Sequence, residues 1–158
     1  MKPAHGRAEL EARYGRVLID KDPRGGYRII SPIGWEIANM TKVVSDLLPR
    51  GKLYTHRDMV GPLLRALAAA KAQCPEYAVR TIGCWAVRYK RTQAKEVSLH
   101  ALGLAVDINA DTNPMRSPIE SDMPPLFVDA FVRQGFTWGA TFPTPDPMHF
   151  QWASGAGV

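Results

Sequence analysis

Two short stretches of the chain carry residue types able to do chemistry. "SLHALGLAVD", residues 98–107, sets His100 and Asp107 seven positions apart around Gly103. "DPMHFQW", residues 146–152, sets Asp146 three positions before His149. Two imidazoles and one carboxylate form a zinc ligand set that leaves the fourth tetrahedral position to water. These donors suit Zn²⁺ without strongly rejecting other divalent metals. Bound zinc lowers the pKa of its water to around 7. A second carboxylate within hydrogen-bond reach then takes the proton and passes it to a leaving group. Asp146 is the candidate for that task, its backbone stiffened by Pro145 and Pro147. The expectation is one Zn²⁺ per chain, held by His100, Asp107 and His149.

Such a set works only if the backbone brings it to one face. "LGLAVDIN" alternates, with Leu104, Val106 and Ile108 on one side and Ala105, Asp107 and Asn109 on the other. "MHFQW" alternates too, opposing Met148, Phe150 and Trp152 to His149 and Gln151. With the apolar faces on the core, Asp107 and His149 project into one concave surface, and His100 leans onto it from just before its strand. The other histidines, His5 and His56, lack matching acids. His56, after Thr55 at a helix start, reads as structural.

Further elements must support these strands. "GWEIANMTKVVSDLLP" places Ile37, Met40, Val44 and Leu47 at three-to-four spacing, which predicts a helix ending before Pro49. "THRDMVGPLLRALAAAKAQC" predicts a second helix with Met59, Leu63, Leu67 and Ala70 on one face, a Thr55–Asp58 capping box, and regular structure from Pro62. "YAVRTIGCWAVRYKR" reads as extended, with two short strands meeting near Gly83. "SDMPPLFVDAFVRQGF" predicts a helix opened by Ser121 or Asp122, stopped by Gly135, and striped by Leu126, Phe127, Ala130 and Phe131. Residues 1–33 are polar and turn-rich and read as an N-terminal arm. The sum is one α+β domain, residues 1–158, with a small antiparallel sheet, flanking helices and a metal-site core over 77–152.

At 158 residues the chain suits a single domain with a real core, and 46% hydrophobic against 22% charged residues is an ordinary globular balance. The formal charge of +5 favours an anionic partner such as nucleic acid, a lipid surface or a phosphate-bearing wall polymer. The basic residues are dispersed and no nucleic-acid motif accompanies them, so no nucleic-acid partner is expected. Cys74 and Cys84 have no zinc-finger spacing and read as thiols or one disulfide. No apolar leader or membrane span is apparent, so synthesis in the cytoplasm without membrane insertion is expected.

Ser98-x-His100-x-x-Gly103-x-Ala105-x-Asp107 resembles the S-x-H-x-x-G-x-A-x-D motif of the zinc D-alanyl-D-alanine carboxypeptidase and L-alanyl-D-glutamate endopeptidase family. "GFTWGATFPTPDPMHFQW" is similar to that family's second block, W-G followed by D-x-x-H-F. "GCWAVRYKR" and Asn113-Pro114 are similar to the VanY-like branch, so the likeness spans residues 77–152. Phe142 stands where the family often has tryptophan, and Gln151 where some members have glutamate or histidine.

The resemblance implies a Hedgehog/DD-peptidase-like α+β fold, with His100, Asp107 and His149 as zinc ligands and Asp146 as catalytic acid/base. Ser98 would steady the ligand loop. Arg88 or Arg91, with Arg88 preferred, would meet the substrate carbonyl, carboxylate or oxyanion. Trp138 and Gln151 would stand near the substrate or behind the ligands, although Trp138 and Trp152 also read as core. The implied activity is hydrolysis of peptidoglycan stem peptides by a monomer. An L-alanyl-D-glutamate endopeptidase of phage-lysin type, released through a holin-like membrane hole, is the first reading. A D-alanyl-D-alanine carboxypeptidase is the second, and a non-catalytic metal-binding wall or virion module the third.

Overall fold

Two of the three candidate ligands, Asp107 and His149, sit on a sheet assembled from the second half of the chain. In the computed structural model, which describes residues 1–93 and 95–155, the chain opens with β1 (Ala4–His5), α1 (Gly6–Tyr14), β2 (Leu18–Lys21) and β3 (Tyr27–Ser31). There follow α2 (Trp35–Asn39), β4 (Met40–Val44), β5 (Lys52–His56) and α3 (Arg57–Gln73). The second half holds β6 (Ile82–Gly83), β7 (Ala105–Ile108), α4 (Pro125–Val132), β8 (Thr137–Trp138), β9 (His149–Gln151) and β10 (Ala153–Ser154). Two 3₁₀ turns, Leu99–Leu102 and Gly139–Thr141, precede β7 and follow β8.

Strands β6-β7-β9-β8, in that order, form a four-stranded antiparallel sheet. Antiparallel hairpins β2–β3 and β4–β5 lie outside it, and β1 pairs in parallel with β10. The architecture is α+β with small antiparallel sheets. Its core is the apolar face of the sheet packed on α3 and α4. Met59, Leu63, Ala66, Leu67 and Ala70 meet Phe127, Ala130 and Phe131 over Val106, Ile108 and Phe150, all buried. Each large side chain hidden there contributes about 1.5–3 kcal/mol. No helix among the described residues is long and apolar enough to cross a membrane.

The structure departs from the sequence pattern in instructive places. The helix expected over residues 34–49 is only α2; from Met40 the chain runs as β4 and pairs with β5, Met40 opposite His56 and Val44 opposite Lys52. Thr41, Val43 and Val44 are β-branched and suit a strand, and cross-strand pairing overrides the helical spacing. Thr55 does not cap α3: its hydroxyl donates to the Gly103 carbonyl at 3.0 Å, and the His56 ring accepts the Asp58 amide at 3.1 Å. The helix starts at Arg57 and includes Pro62, whose missing N–H removes one bond near the N-terminus.

Helix α4 starts later than expected, with Ser121 and Asp122 engaged by Asn113 instead of capping it. Leu126 is exposed, because it is turned about 100° from Phe127 around the helix. Residues 1–33 hold a helix and a hairpin, and they add Leu10, Tyr14, Val17 and Ile19 to the core. Of the strands expected in residues 77–91, only β6 and a single Tyr89–Val97 bridge form. Cys74 and Cys84 are buried free thiols, and burial pushes the Cys84 thiol up to about 12.

Candidate metal centre

Register alone brings the first two ligands together. Asp107 lies directly opposite His149 in the β7–β9 ladder, so their side chains share one face. The third comes from the turn just ahead of β7. His100 stands in the 3₁₀ turn Leu99–Leu102, whose N-cap Ser98 accepts the His100 amide at 3.3 Å. Gly103 then reverses the chain into β7 with φ of 63°. A Cβ there would fall 2.6 Å from Met40 Cε and 2.7 Å from the His56 amide nitrogen, so both backbone angle and space require glycine.

The three side chains meet at a point. His100 Nε2, His149 Nδ1 and Asp107 Oδ1 are each 3.1 Å from the other two. Hydrogen bonding among them fails on proton placement. The Cys84 carbonyl, 2.7 Å from His100 Nδ1, can only accept, so that nitrogen carries the proton and Nε2 presents a lone pair. His149 Nε2 lies 3.2 Å from Gln151 Oε1, and the Gln151 amide nitrogen donates to the Ala153 carbonyl. His149 therefore donates through Nε2 and turns the lone pair of Nδ1 inward.

Asp107 Oδ1, a carboxylate oxygen 3.1 Å from both nitrogens, is the third acceptor. Three acceptors thus converge with no proton between them, and a cation resolves that conflict. Tetrahedral zinc with bonds of about 2.0–2.1 Å sets neighbouring ligand atoms about 3.3 Å apart, close to the spacing found. The donor set fits Zn²⁺. The Cys84 and Gln151 oxygens behind the imidazoles fix ring orientation and tautomer.

Asp146 lies in the turn before β9, and its segment is pinned at every residue. Its amide donates to the Gly139 carbonyl at 3.0 Å, its carbonyl accepts the His149 amide at 3.0 Å, and Trp138 Nε1 donates to the Pro147 carbonyl at 2.7 Å. The side chain is held less firmly: Oδ1 is buried without a hydrogen-bond partner. Burial, reinforced by the Asp107 charge and opposed by the His149 and Arg91 charges, raises the Asp146 pKa. A carboxyl in that state is suited to proton exchange.

A cavity of about 470 Å³ opens over the centre, lined by His100, His149, Asp146, Ser98, Gln151 and the basic Arg88, Lys90 and Arg91. Lys90 is paired to Glu96 at 2.7 Å. Arg88 is half-buried, and burial, with Arg91 adding to it, lowers its pKa from the guanidinium's ordinary value. Trp138 is not among the lining residues; it stacks on Phe150 and donates to the Pro147 carbonyl, which supports the Asp146 turn. Phe142, by contrast, lines the wall, its ring 5.8 Å from that of His149. Sequence reasoning missed the Cys84 carbonyl, which as a backbone group leaves no signal in residue type. It also missed Lys90 and Gln93, which only the bend around the Tyr89–Val97 bridge brings to the rim. His5 and His56 lie outside the cavity lining.

Comparison with known families places a match on the same segment: residues 91–152 match the family described as D-alanyl-D-alanine carboxypeptidase. No curated protein and no solved structure matches the chain.

Proposed function

From the match of residues 91–152 to the D-alanyl-D-alanine carboxypeptidase family, we propose that this chain is a zinc-dependent peptidase of peptidoglycan stem peptides. The bond assigned is L-alanyl-D-glutamate, within the stem. The observation that carries the reading is the convergence of three proton-free ligand atoms beside the unpartnered Asp146 carboxyl in one cavity. A purely metal-binding module has no use for that carboxyl.

Zinc, when bound, supplies Lewis acidity and an acidified water. Asp146 takes the proton of the attacking water at its carboxylate and returns it to the leaving amine. Arg88 and Arg91, from the cavity wall, meet the scissile carbonyl oxygen as charge develops on it. Ser98 holds the His100 turn, and Gln151 holds the His149 ring. The net charge of +5 suits adhesion to an anionic wall, in keeping with a lysin-type role.

A terminal D-alanyl-D-alanine cut is the second reading, favoured by the matched family's description and served by the same four side chains. Digestion of purified peptidoglycan by zinc-loaded protein, with mass spectrometry of the fragments, separates the two. New D-Glu amino ends establish the endopeptidase; loss of terminal D-Ala alone establishes the carboxypeptidase. Asp146→Ala is expected to lower either activity by roughly 10²–10⁴-fold while zinc still binds. Stoichiometric zinc with no cleavage by the unmodified protein would leave a binding module.

A further inference from the structure

A second cavity, of about 310 Å³, adjoins the candidate metal set at Asp107. It is lined by Asp107, by Ile82 and Gly83 of β6, and by the cations Arg50, Lys52 and Arg80. The three ligand atoms lie within 4.8 Å of one another, yet His100 and His149 line the first cavity and Asp107 the second. Asp107 thus sets the second cavity beside the triad. We propose that the second cavity is a substrate subsite in which Arg50, Lys52 and Arg80 bind the free carboxylate of the residue adjoining the scissile bond. This rests on the peptidase function proposed above, where that residue is D-Glu.

Charge is the first support. Arg50 and Lys52 form no ion pair with any described residue. Arg80 touches Asp111 at 3.3 Å and the Thr112 hydroxyl at 3.0 Å, outside the cavity lining. The single carboxylate of the lining, Asp107, is committed to the metal set. Two unpaired cations, Arg50 and Lys52, and the Asp111-paired Arg80 thus face one hollow. A carboxylate on the substrate supplies their anion, through charge-assisted hydrogen bonds.

Space is the second support. β6 is an edge strand, and an unpaired strand edge offers backbone groups to an extended peptide. Gly83 lies opposite Asp107 in the ladder, so a side chain at 83 would stand on the same face as the ligand carboxylate. A Cβ there would meet nothing within 4 Å. The lack of a side chain is thus not a packing need of the fold, and it leaves the approach to the metal open.

The test compares two soluble stem peptides, one with the D-Glu α-carboxylate free and one with it amidated, cut by the zinc-loaded full chain. The intact protein is expected to prefer the acidic peptide by roughly 10- to 100-fold in kcat/KM, the range of a hydrogen-bonded charge. The double variant Arg50→Gln/Lys52→Gln should erase most of that preference, chiefly through KM, with zinc stoichiometry and thermal unfolding unchanged. Lys71→Gln, an exposed cation on α3, should not alter it. Gly83→Val should lower kcat/KM on both peptides and leave zinc binding intact.

Discrimination that survives in the double variant overturns the subsite. So does a preference that follows a C-terminal carboxylate instead, tested with C-terminally amidated peptides. Loss of adhesion to phosphate-bearing walls with peptide kinetics unchanged would assign the cations to the wall polymer and overturn it as well. No cleavage of any peptide or of peptidoglycan by the zinc-loaded protein would instead sink the peptidase function, and the subsite with it.

Discussion

Strand β7 leads to two buried polar clusters that differ in one respect. At Asp107, three side chains bring acceptors together without a proton. Two residues on, Asn109 and Asn113 anchor a network in which donors and acceptors match. Asn109 Oδ1 accepts the Arg80 and Thr81 amides, and its Nδ2 donates to the Ala78 carbonyl. Asn113 Oδ1 accepts the Ser121 hydroxyl and the Asp122 amide, while its Nδ2 donates to the Asn109 carbonyl and to Asp122. Tyr77 closes the network by donating to Asp122 at 2.7 Å. Burial of polar side chains is common to both, so burial does not mark a site. The proton count does: a balanced cluster serves the fold, and an acceptor-only one calls for a cation.

Removing a ligand should expose the contrast most strongly. His100→Ala is expected to abolish stoichiometric zinc binding and to lower hydrolysis by more than about 10³-fold, because the metal supplies several kcal/mol at the transition state. Calorimetric titration with zinc and peptide hydrolysis check it; wild-type zinc affinity in that variant would move the site elsewhere. Asn113→Ala is the counterpart in the balanced cluster. It removes the acceptor of the Ser121 hydroxyl and the Asp122 amide, while the Asn109 carbonyl keeps the Thr112 and residue-113 amides, so unfolding free energy should fall by about 1–3 kcal/mol. Zinc stoichiometry should stay at one. A denaturant titration showing no loss would mean that water replaces the amide at no cost.

The two clusters were unequally legible in sequence. Period-2 alternation set Asp107 and His149 on one face, and motif spacing pointed to His100 and Asp146. The second cavity was hidden, because Arg50 and Lys52 reach it on the β4–β5 hairpin, and Ile37 of α2 with Met40 and Val44 of β4 mimics helical spacing across that boundary. Ile37 and Val44 are in fact largely exposed, so that apolar stripe never enters the core as a unit. The Asn109–Asn113 network was invisible for another reason. Its partners are mostly backbone groups, whose positions depend on the fold and not on residue type.

Gln151 tests whether orientation matters within the acceptor-only cluster. Its oxygen selects the His149 tautomer that presents Nδ1 to the metal. Gln151→Leu should weaken zinc binding by about 10–100-fold, whereas Gln151→Glu, which keeps the acceptor, should restore it. Competition with a chromogenic chelator reads both without relying on activity. Equal affinities in all three proteins would reduce Gln151 to a packing residue.

His56 sharpens the comparison from the other direction, as a buried histidine that neither cluster uses. Its Nδ1 accepts the Asp58 amide, so its proton sits on Nε2, which has no partner. Burial, only partly opposed by Asp58, lowers its pKa from 6.5 to about 4 in the folded protein. Above pH 6.5 the ring is neutral folded or unfolded, and no stability is lost. Below it the unfolded chain binds a proton that the fold refuses, so stability falls until the folded ring titrates near pH 4. Between pH 7 and pH 5.5 this amounts to about 1 kcal/mol. His56→Asn keeps a side-chain acceptor for the Asp58 amide and removes the titration. The zinc-loaded wild type should therefore lose about 1 kcal/mol more than that variant over the same interval, in urea unfolding at both pH values. Equal losses would mean that the folded ring accepts its proton as readily as the unfolded one. His56 would then belong with the groups that need a cation and not with those that exclude one.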